Sequence, residues 1–280
     1  MPRGTPTGRA TANLRFEAPG RRSWNRSRAL RSAAIQGCLG ALVFAGWLQL
    51  GYATTAVALY MKDFAVVAVD GRINKVGPLI SGHKSGCKLY VADGKVAVLA
   101  GLTEEPDAGF DVRAIFHNVL NQPVPPAQAA DVVQQRVQQA LPAALQVFQK
   151  KDPAAFEARA HGESQLLLVG TDTNGQVQVS RRSIPYQQGH PAEQDDSTGT
   201  PDHVGIALIG DTTAIDLDLI RLQKTNGWEG MGNPPDLEKL ARRFIALEIV
   251  AQPMQVGPPL SMVLVDENGI HWVDPGACNE

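Results

Sequence analysis

In residues 54–280, which we call the body of the chain, short apolar segments separated by turn residues predict β-hairpins before the first helix. Residues 55–60 and 64–69 are rich in Val, Ala and aromatic residues, and the "MKD" between them suits a tight turn. Residues 89–100 repeat this arrangement around Asp93-Gly94, a pair that is frequent in hairpin turns. We therefore predict four strands in the first part of the body.

A tract with apolar residues at helical spacing comes next. Residues 107–120 and 127–151 place apolar side chains three and four positions apart, which predicts two helices. The second segment contains Pro142, and a proline inside a helix removes one hydrogen bond and crowds the preceding turn. We expect the second helix to be kinked or broken there.

The remaining segments repeat the order of strands and helices. Residues 164–184 predict a hairpin that turns at Asn174-Gly175, and the polar segment from Gln187 to Pro201 predicts a loop. The elements that follow are a strand over 203–210, two helices, of which the second covers 235–252, and a last hairpin over 260–274. The acid-rich stretch with Asp211, Asp216 and Asp218 is interpreted as the start of the first of these helices, with its N-cap.

The order of the elements favours one fold class. Strands, two helices, strands, two helices and strands suit two antiparallel sheets that stack face to face, with helices outside each sheet. Strands from both ends of the chain would complete the sheets. Residues 54–280 show no internal repeat and no change of composition, so we interpret them as a single α+β domain with a four-layer αββα sandwich.

Residues 1–53 have the features of a secretory leader. Eight arginines and one acid, Glu17, lie in residues 1–31, and residues 33–53 form an apolar segment without any charge. Gly51 and Ala53 are small residues at the third and first positions before a cut, as signal peptidase requires. We expect cleavage after Ala53 and export to the periplasm or beyond. An uncleaved membrane anchor, a start codon assigned too early and a self-removed pro-segment remain alternatives.

The charge of the body excludes some partners. Once the leader's charges are removed from the 26 basic and 28 acidic residues of the chain, the body carries a formal charge of about −9. Such a surface argues against nucleic acid or an anionic membrane as partner, so a membrane contact is expected only through an uncleaved leader. The six histidines have no ligand spacing and no paired-Cys motif exists, so we expect no metal and no other cofactor.

The cysteines leave two interpretations open. Cys38 belongs to the leader, and the body keeps Cys87 and Cys278. These two could pair in an oxidising compartment, or they could be two unrelated thiols.

Four motifs in order carry a resemblance to a known family. They are "TTAV" at 54–57, "VVAVDGR" at 66–72, "CKLY" at 87–90 and "VLAGL" at 98–102. With them, the chain resembles the β-type proteasome subunits of the N-terminal nucleophile (Ntn) hydrolase superfamily, whose mature chains start with Thr-Thr-x-Val. Sixteen residues separate Thr54 from Asp70, as in that family, and the resemblance covers most of residues 54–273.

The resemblance implies a proteasome-like αββα fold and a catalytic role for four residues. Thr54, once it is the first residue, would attack through its hydroxyl, with its own α-amine as the base. Lys88 would lower the cost of the negative charge on that oxygen, and Asp70 would orient Lys88. The backbone N–H of Gly101 would face the oxyanion, and Arg72 would brace this wall of the site.

We therefore expect an exported threonine-type amidohydrolase that acts through an acyl-enzyme on peptides or small amides, and that could form a homo-oligomer. Two alternatives come from other functional classes. One is a non-catalytic structural or ring-forming subunit of the same fold. The other is a membrane-tethered binding module, which would retain residues 33–53.

Overall fold

The computed structural model describes residues 54–74, 83–157, 162–187, 190–225, 227 and 230–279. The predicted leader, its cleavage after Ala53 and the proposed anchor lie outside the described residues. Within them the chain is α+β, with five α-helices and two five-stranded antiparallel sheets. The predicted fold class is confirmed at this level.

The first sheet brings the two ends of the described chain together. Its spatial order is β12 (Gly205–Gly210), β1 (Thr55–Tyr60), β2 (Phe64–Asp70), β13 (Leu260–Asp266) and β14 (Gly269–Asp274). The pairs β1–β2 and β13–β14 are the predicted first and last hairpins. Because β13 lies antiparallel to β2, Leu260 is opposite Asp70 at the end of the strand pair.

The second sheet contains the two middle hairpins. Its order is β11 (Gln194–Thr198), β10 (Val177–Pro185), β9 (Glu163–Thr171), β6 (Lys95–Ala100) and β5 (Tyr90–Ala92). Two short ribbons accompany the sheets, formed by β3 (Arg72–Asn74) with β4 (His83–Ser85), and by β7 (Glu104–Glu105) with β8 (Phe110–Asp111).

The prediction of a loop from Gln187 to Pro201 is wrong, because this segment contains the edge strand β11. The strand reads "QDDST" and has no apolar alternation that could reveal it. Its ladder to β10 is reinforced by the buried guanidinium of Arg182, which donates to both carboxylate oxygens of Asp196 at 2.9 and 3.0 Å.

The helices are α1 (Val112–Leu120), α2 (Pro126–Lys151), α3 (Pro153–Glu157), α4 (Thr213–Lys224) and α5 (Pro234–Ala251). The predicted break in α2 is absent: the helix continues through Pro142, where Leu141 and Ala144 are buried against the core. In the part of the chain that the structure describes, no helix combines the length and the apolar character needed to cross a membrane.

The first predicted helix begins five residues later than its apolar pattern suggested. Gly109 has a φ of 65°, a left-handed conformation that a helix interior does not accept, and it ends a short 3-10 turn over Pro106–Ala108. Asp111 then caps α1, because its carboxylate accepts the N–H groups of Arg113 and Ala114.

The buried apolar side chains form clusters, and successive residues of a strand belong to different clusters. Ala56 and Ala58 of β1 join a cluster that also contains Val98 and Leu167 of the second sheet. Val57 and Leu59, which point to the other face of β1, join a cluster with residues of α5. Both faces of β1 are therefore buried, which explains its continuous apolar run.

The second sheet is also covered by helices. The remaining cluster combines Leu166 and Leu168 of β9 with residues of α1 and α2, such as Val119 and Val133. The strand ends near Thr54, Asp70 and Ala100 are thereby supported by packed elements on both sides.

Candidate active site

The end of β12 fixes the backbone of Thr54. The Thr54 carbonyl accepts the N–H of Asp211 at 3.3 Å, and the Thr55 hydroxyl donates to the Asp211 carbonyl at 2.6 Å. Gly210 has a φ of +84°, and a Cβ at this position would lie 1.5 Å from the Thr54 carbonyl oxygen. A side chain at position 210 would therefore displace Thr54.

Asp70 is the centre of a hydrogen-bond array at the end of β2. Its side chain is fully buried, and one carboxylate oxygen, Oδ1, accepts the N–H of Thr55 at 2.9 Å. The other oxygen, Oδ2, accepts the N–H groups of Arg72 at 3.1 Å and Gly257 at 3.3 Å. The carboxylate is thus fixed by backbone from three separate segments of the chain.

Lys88 completes the array as the charged partner of Asp70. Its Nζ lies 2.9 Å from Oδ1 and 3.0 Å from Oδ2, and its side chain is 11% exposed. Because Thr55 and Lys88 share the same oxygen of Asp70, the ammonium is held beside the start of β1. The structure therefore brings together Asp70, Lys88 and the residue that follows Thr54.

Burial acts against both charges of this pair. Burial lowers the pKa of Lys88, and the Asp70 carboxylate opposes this shift. Burial also raises the pKa of Asp70, and the Lys88 ammonium and the Thr55 N–H oppose that rise. The hydrogen bonds to the carboxylate therefore compensate for the loss of water around the pair.

Gly101 lies directly after β6, where the chain turns sharply. Its φ is +126°, and a Cβ would lie 2.3 Å from Ser164 Oγ and 2.8 Å from Ser164 Cα. Ala100, its neighbour in β6, lies 3.5 Å from the Cβ position of Gly210. The end of β6 is thus adjacent to the backbone that holds Thr54.

Replacing Gly101 with alanine is expected to destabilise the fold more than replacing Gly94, which also has a positive φ but has open space around its Cβ position. Gly94→Ala should cost about 1–2 kcal/mol of unfolding free energy from backbone strain. Gly101→Ala should cost about 1–3 kcal/mol more from the contact with Ser164. Urea unfolding of both variants measures this, and equal losses would contradict the close contact.

Gln165 is a site residue that the sequence did not reveal. It lies opposite Ala100 in the β6–β9 pair, and its side-chain oxygen accepts the N–H of Gly210 at 2.8 Å. This bond crosses from the second sheet to the first, so it links the strand end before Gly101 to the one that fixes Thr54. A polar residue at the start of an apolar strand gives no signal of such a contact.

Arg72 lies two residues after Asp70 and contacts a neighbouring loop. Its guanidinium donates to the carbonyl of Pro253, in the loop between α5 and β13. That loop reads "QPMQVGPP" over residues 252–259 and contains neither a carboxylate nor a hydroxyl group. Arg72 and Gly257 therefore join this loop to the Asp70 array.

The start of α4 is capped from a distance. The predicted helix start at the acid-rich stretch is confirmed, but its N-cap Thr212 makes no side-chain cap hydrogen bond. Instead, the buried Glu248 of α5 accepts the N–H groups of Ala214 and Ile215 at 2.6 and 2.9 Å. A carboxylate suits this position because the free N–H groups and the dipole of a helix N-terminus favour negative charge.

Burial raises the pKa of Glu248, and the two N–H groups that it accepts oppose this shift. Because the folded-state pKa exceeds the unfolded value, the folded protein takes up a proton first as pH falls. The stabilising contribution is complete below the unfolded pKa of about 4.3 and is lost as pH rises through the folded pKa. The unfolding free energy of the wild type relative to Glu248→Gln should therefore grow from pH 7 to pH 4.5. A difference that urea titrations find constant across this range would refute the shift.

The structure contains the disulfide between Cys87 and Cys278, which confirms that the two residues of the body pair. The bond joins the residue before Lys88 to a 3-10 turn over Gly276–Asn279. No group of three or more His, Cys, Asp or Glu residues that could hold a metal occurs among the described residues.

Comparisons with known proteins identify the fold. No family model and no curated protein matches the chain. Anbu (ancestral beta-subunit) from Yersinia bercovieri matches with 14% identity and a TM-score of 0.50, over 78% of this chain and 86% of its own. Two Anbu structures from Hyphomicrobium sp. strain MC1, the second a Gly-1 mutant, have 16% and 17% identity and TM-scores of 0.48 and 0.49. Each covers 79% of this chain and 85% of its own. The Yersinia structure shows a proteasome-related fold for this chain, and at this identity it shows the fold alone.

The identification of the chain as a β-type proteasome subunit of the Ntn hydrolase superfamily is therefore wrong as a family assignment. The matching structure from Yersinia bercovieri is an Anbu protein, from a distinct family with a proteasome-like fold. The physical reason is that the motifs behind the identification coincide with positions that the local structure constrains. Asp70 and Lys88 form a buried pair, and Gly101 occupies a conformation that favours glycine. Such residues indicate a shared geometry, which more than one family can have.

Proposed function

We propose that the mature protein is an exported amidohydrolase that uses Thr54, as its first residue, to attack an amide bond. Thr54 is the nucleophile, its α-amine is the base, and Lys88 stabilises the charge on the attacking oxygen. Asp70 positions Lys88, the N–H of Gly101 faces the oxyanion, and Arg72 braces the wall. Peptides and small amides are the proposed substrates.

The observation that carries this proposal is the shared carboxylate oxygen of Asp70. That oxygen accepts the Thr55 N–H and the Lys88 ammonium, each at 2.9 Å. Lys88 is thereby held beside Thr55, the residue that follows the candidate chain-initial Thr54. A buried lysine in this position is suited to activating the Thr54 hydroxyl. At low effective dielectric, the ammonium acts on a neighbouring oxyanion more strongly than it would in water.

The proposed reaction proceeds through an ester intermediate. The Thr54 Oγ attacks the carbonyl carbon while the α-amine takes the hydroxyl proton, since its ordinary pKa of about 7.7–8.0 suits a base near neutral pH. The tetrahedral intermediate collapses when the leaving nitrogen receives that proton. Water then attacks the ester carbonyl, again with the α-amine as the base, and releases the carboxylic acid. A backbone donor at the oxyanion is worth about 3–4 kcal/mol in comparable sites.

We also infer the four-layer order αββα for the fold. The cluster shared by the two sheets supports two central layers, and the clusters that contain α5 on one sheet and α1 with α2 on the other support the outer layers. In this arrangement the site lies at one end of the paired sheets, where β1, β2 and β6 begin or end.

Export is part of the proposal because the α-amine of Thr54 exists only after residues 1–53 have been removed. The arginine-rich region, the apolar segment and the small residues Gly51 and Ala53 support cleavage by signal peptidase. The Cys87–Cys278 disulfide supports an oxidising compartment, since such bonds are rare where thiols are kept reduced.

The mature N-terminus tests the proposal. Protein exported by a host with the corresponding secretion system should have the intact mass of a chain that begins at Thr54. A chain produced with Thr54 directly exposed by a removable tag, and oxidised so that the Cys87–Cys278 disulfide forms, should be equally active without export. If the active fraction retains residues 33–53, both the processing and the catalytic role of Thr54 are excluded.

A second candidate function is a non-catalytic subunit that assembles with other copies of the chain through its helical surface. Four large apolar side chains on α4, α5 and the following loop are exposed, namely Leu217, Ile220, Val250 and Met254. A cavity of about 510 Å³ opens beside Leu217 and Met254. Surfaces of this kind are typical of protein contacts, so self-assembly into a homo-oligomer is compatible with either function.

A further inference from the structure

The last residue of the stretch that carries Lys88, Leu89, is buried in a core cluster, and the rest of the stretch is held by backbone contacts and a disulfide. Residues 86–89 lie between β4 and β5 and belong to neither strand. Its backbone is held by the N–H of Gly86, which donates to the Gly71 carbonyl at 3.0 Å, and by the Cys87 carbonyl, which accepts from the Arg113 side chain. The Cys87–Cys278 disulfide adds a covalent attachment one residue before Lys88.

The far end of the disulfide is anchored to the first sheet. Cys278 lies in the 3-10 turn after β14, and its N–H donates to the Pro275 carbonyl at 2.7 Å. The hydroxyl of Ser261 in β13 donates to the same carbonyl at 3.0 Å. The turn is therefore fixed to β13 beside its first residue, Leu260.

Together, these contacts link both cysteines of the disulfide to the Asp70–Lys88 ion pair. Leu260 is opposite Asp70 in the β2–β13 pair, so the strand that anchors Cys278 also neighbours the carboxylate that binds Lys88. Lys88 is thus held from two sides, by Asp70 through charge and by Cys87 through the disulfide. Opening the disulfide would remove the covalent restraint on the residue before Lys88 and leave the ion pair and the burial of Leu89 among the remaining restraints.

We propose that the Cys87–Cys278 disulfide positions Lys88, so that the site is assembled only after the chain reaches an oxidising compartment. This inference rests on the proposed function and adds its regulation. Two S–H bonds break and one S–S bond forms, while two protons and two electrons pass to a disulfide-exchange oxidant, whose own disulfide becomes a dithiol. A dithiol reductant reverses the step and silences the site.

The first arm of the test does not depend on catalysis. Mature protein is pulsed with acetic anhydride, with and without a dithiol reductant, and the acetylation of Lys88 and Lys95 is measured by mass spectrometry. Lys95 is the matched control, because its side chain is 7% exposed and its Nζ donates to the carbonyls of Leu120 and Gln122. Reduction should raise the acetylation rate of Lys88 about tenfold or more through local opening, with Lys95 unchanged.

Two results of this arm overturn the inference. If the rate at Lys88 does not change on reduction, the disulfide does not position it. If both lysines become reactive to the same extent, the disulfide stabilises the whole fold rather than this stretch. A variant with Cys87→Ser and Cys278→Ser should match the reduced wild type and should not respond to reductant.

The second arm measures covalent labelling of Thr54 by a vinyl sulfone that is added after excess dithiol has been removed, because free thiols add to this reagent. On reduction the maximal labelling rate should fall about 100-fold, as expected for a displaced catalytic group, and should return on reoxidation. The vinyl sulfone concentration that gives half-maximal labelling should stay constant, since reduction does not alter the wall of the site that Arg72 braces. Unchanged labelling with an exposed Lys88 also overturns the inference. If oxidised protein is not labelled at all, the proposed function fails, while the acetylation arm still decides whether Lys88 is positioned.

Discussion

Thr54→Ala is expected to abolish the covalent labelling of the mature protein by electrophiles such as a β-lactone or a vinyl sulfone. The variant keeps the α-amine and the Asp70–Lys88 pair but lacks the oxygen that forms the acyl bond. Loss of a nucleophile from a set of groups that act together lowers the rate by a factor on the order of 10⁶. The measurement is the labelled mass of the N-terminal peptide, compared between variant and wild type at matched N-terminal processing.

Two controls make this result specific. Thr54→Ser keeps a hydroxyl and should keep part of the labelling. Thr173→Ala removes an exposed threonine in the turn between β9 and β10 and should label as the wild type does. Labelled Thr54→Ala would exclude Thr54 as the nucleophile. A correctly processed wild type that resists several electrophile classes would favour the non-catalytic subunit.

Lys88→Ala is expected to remove labelling as well, and at a higher cost in stability. The change leaves the fully buried carboxylate of Asp70 without its charged partner, and breaking one side of a buried ion pair costs about 3–5 kcal/mol. Asp70→Asn should weaken labelling and also destabilise, because the amide nitrogen of asparagine would face a donor at either oxygen position of Asp70. Urea unfolding and labelling, measured on the same samples, separate the two effects.

The matched control removes the charge from both partners. A variant with Lys88→Gln and Asp70→Asn buries no charge, so it should recover part of the stability that Lys88→Ala loses, while labelling stays absent. Recovery of labelling in this double variant would show that Lys88 acts only by holding the fold. Loss of labelling at recovered stability would assign to Lys88 a role at the site itself.

The hairpins were predictable because their signals are local. Asp93-Gly94, Asn174-Gly175 and Asn268-Gly269 determine their turns within a few residues, and the structure has a turn at each. The proposed site residues Asp70 and Lys88 came from a resemblance of motifs. Their proximity could not be derived from sequence, since a segment of seventeen residues separates them and no periodicity fixes how it folds.

Other features depend on partners that are distant in sequence. The cap of α4 comes from Glu248, thirty-four residues after the N–H of Ala214, and the Gly210 N–H is bound by Gln165 from the other sheet. The edge strand β11 has a polar sequence, and only its pairing with β10 makes it a strand. Such features become visible only when tertiary contacts are known, because local propensity is neutral toward them.

At the start of β1 the side chains differ in volume between the two faces of the strand, and this difference helps to fix the register of the chain there. Ala56 and Ala58 face the other sheet, whereas Val57 and Leu59 face the helices. A slip of one residue would exchange the faces and push Val57 and Leu59 into the positions that the alanines now occupy between the sheets, although hydrophobicity alone would permit it. The two alanines therefore help to set the register at the start of β1, where Thr55 stands opposite Gly210, and so they place Thr54 directly before the strand.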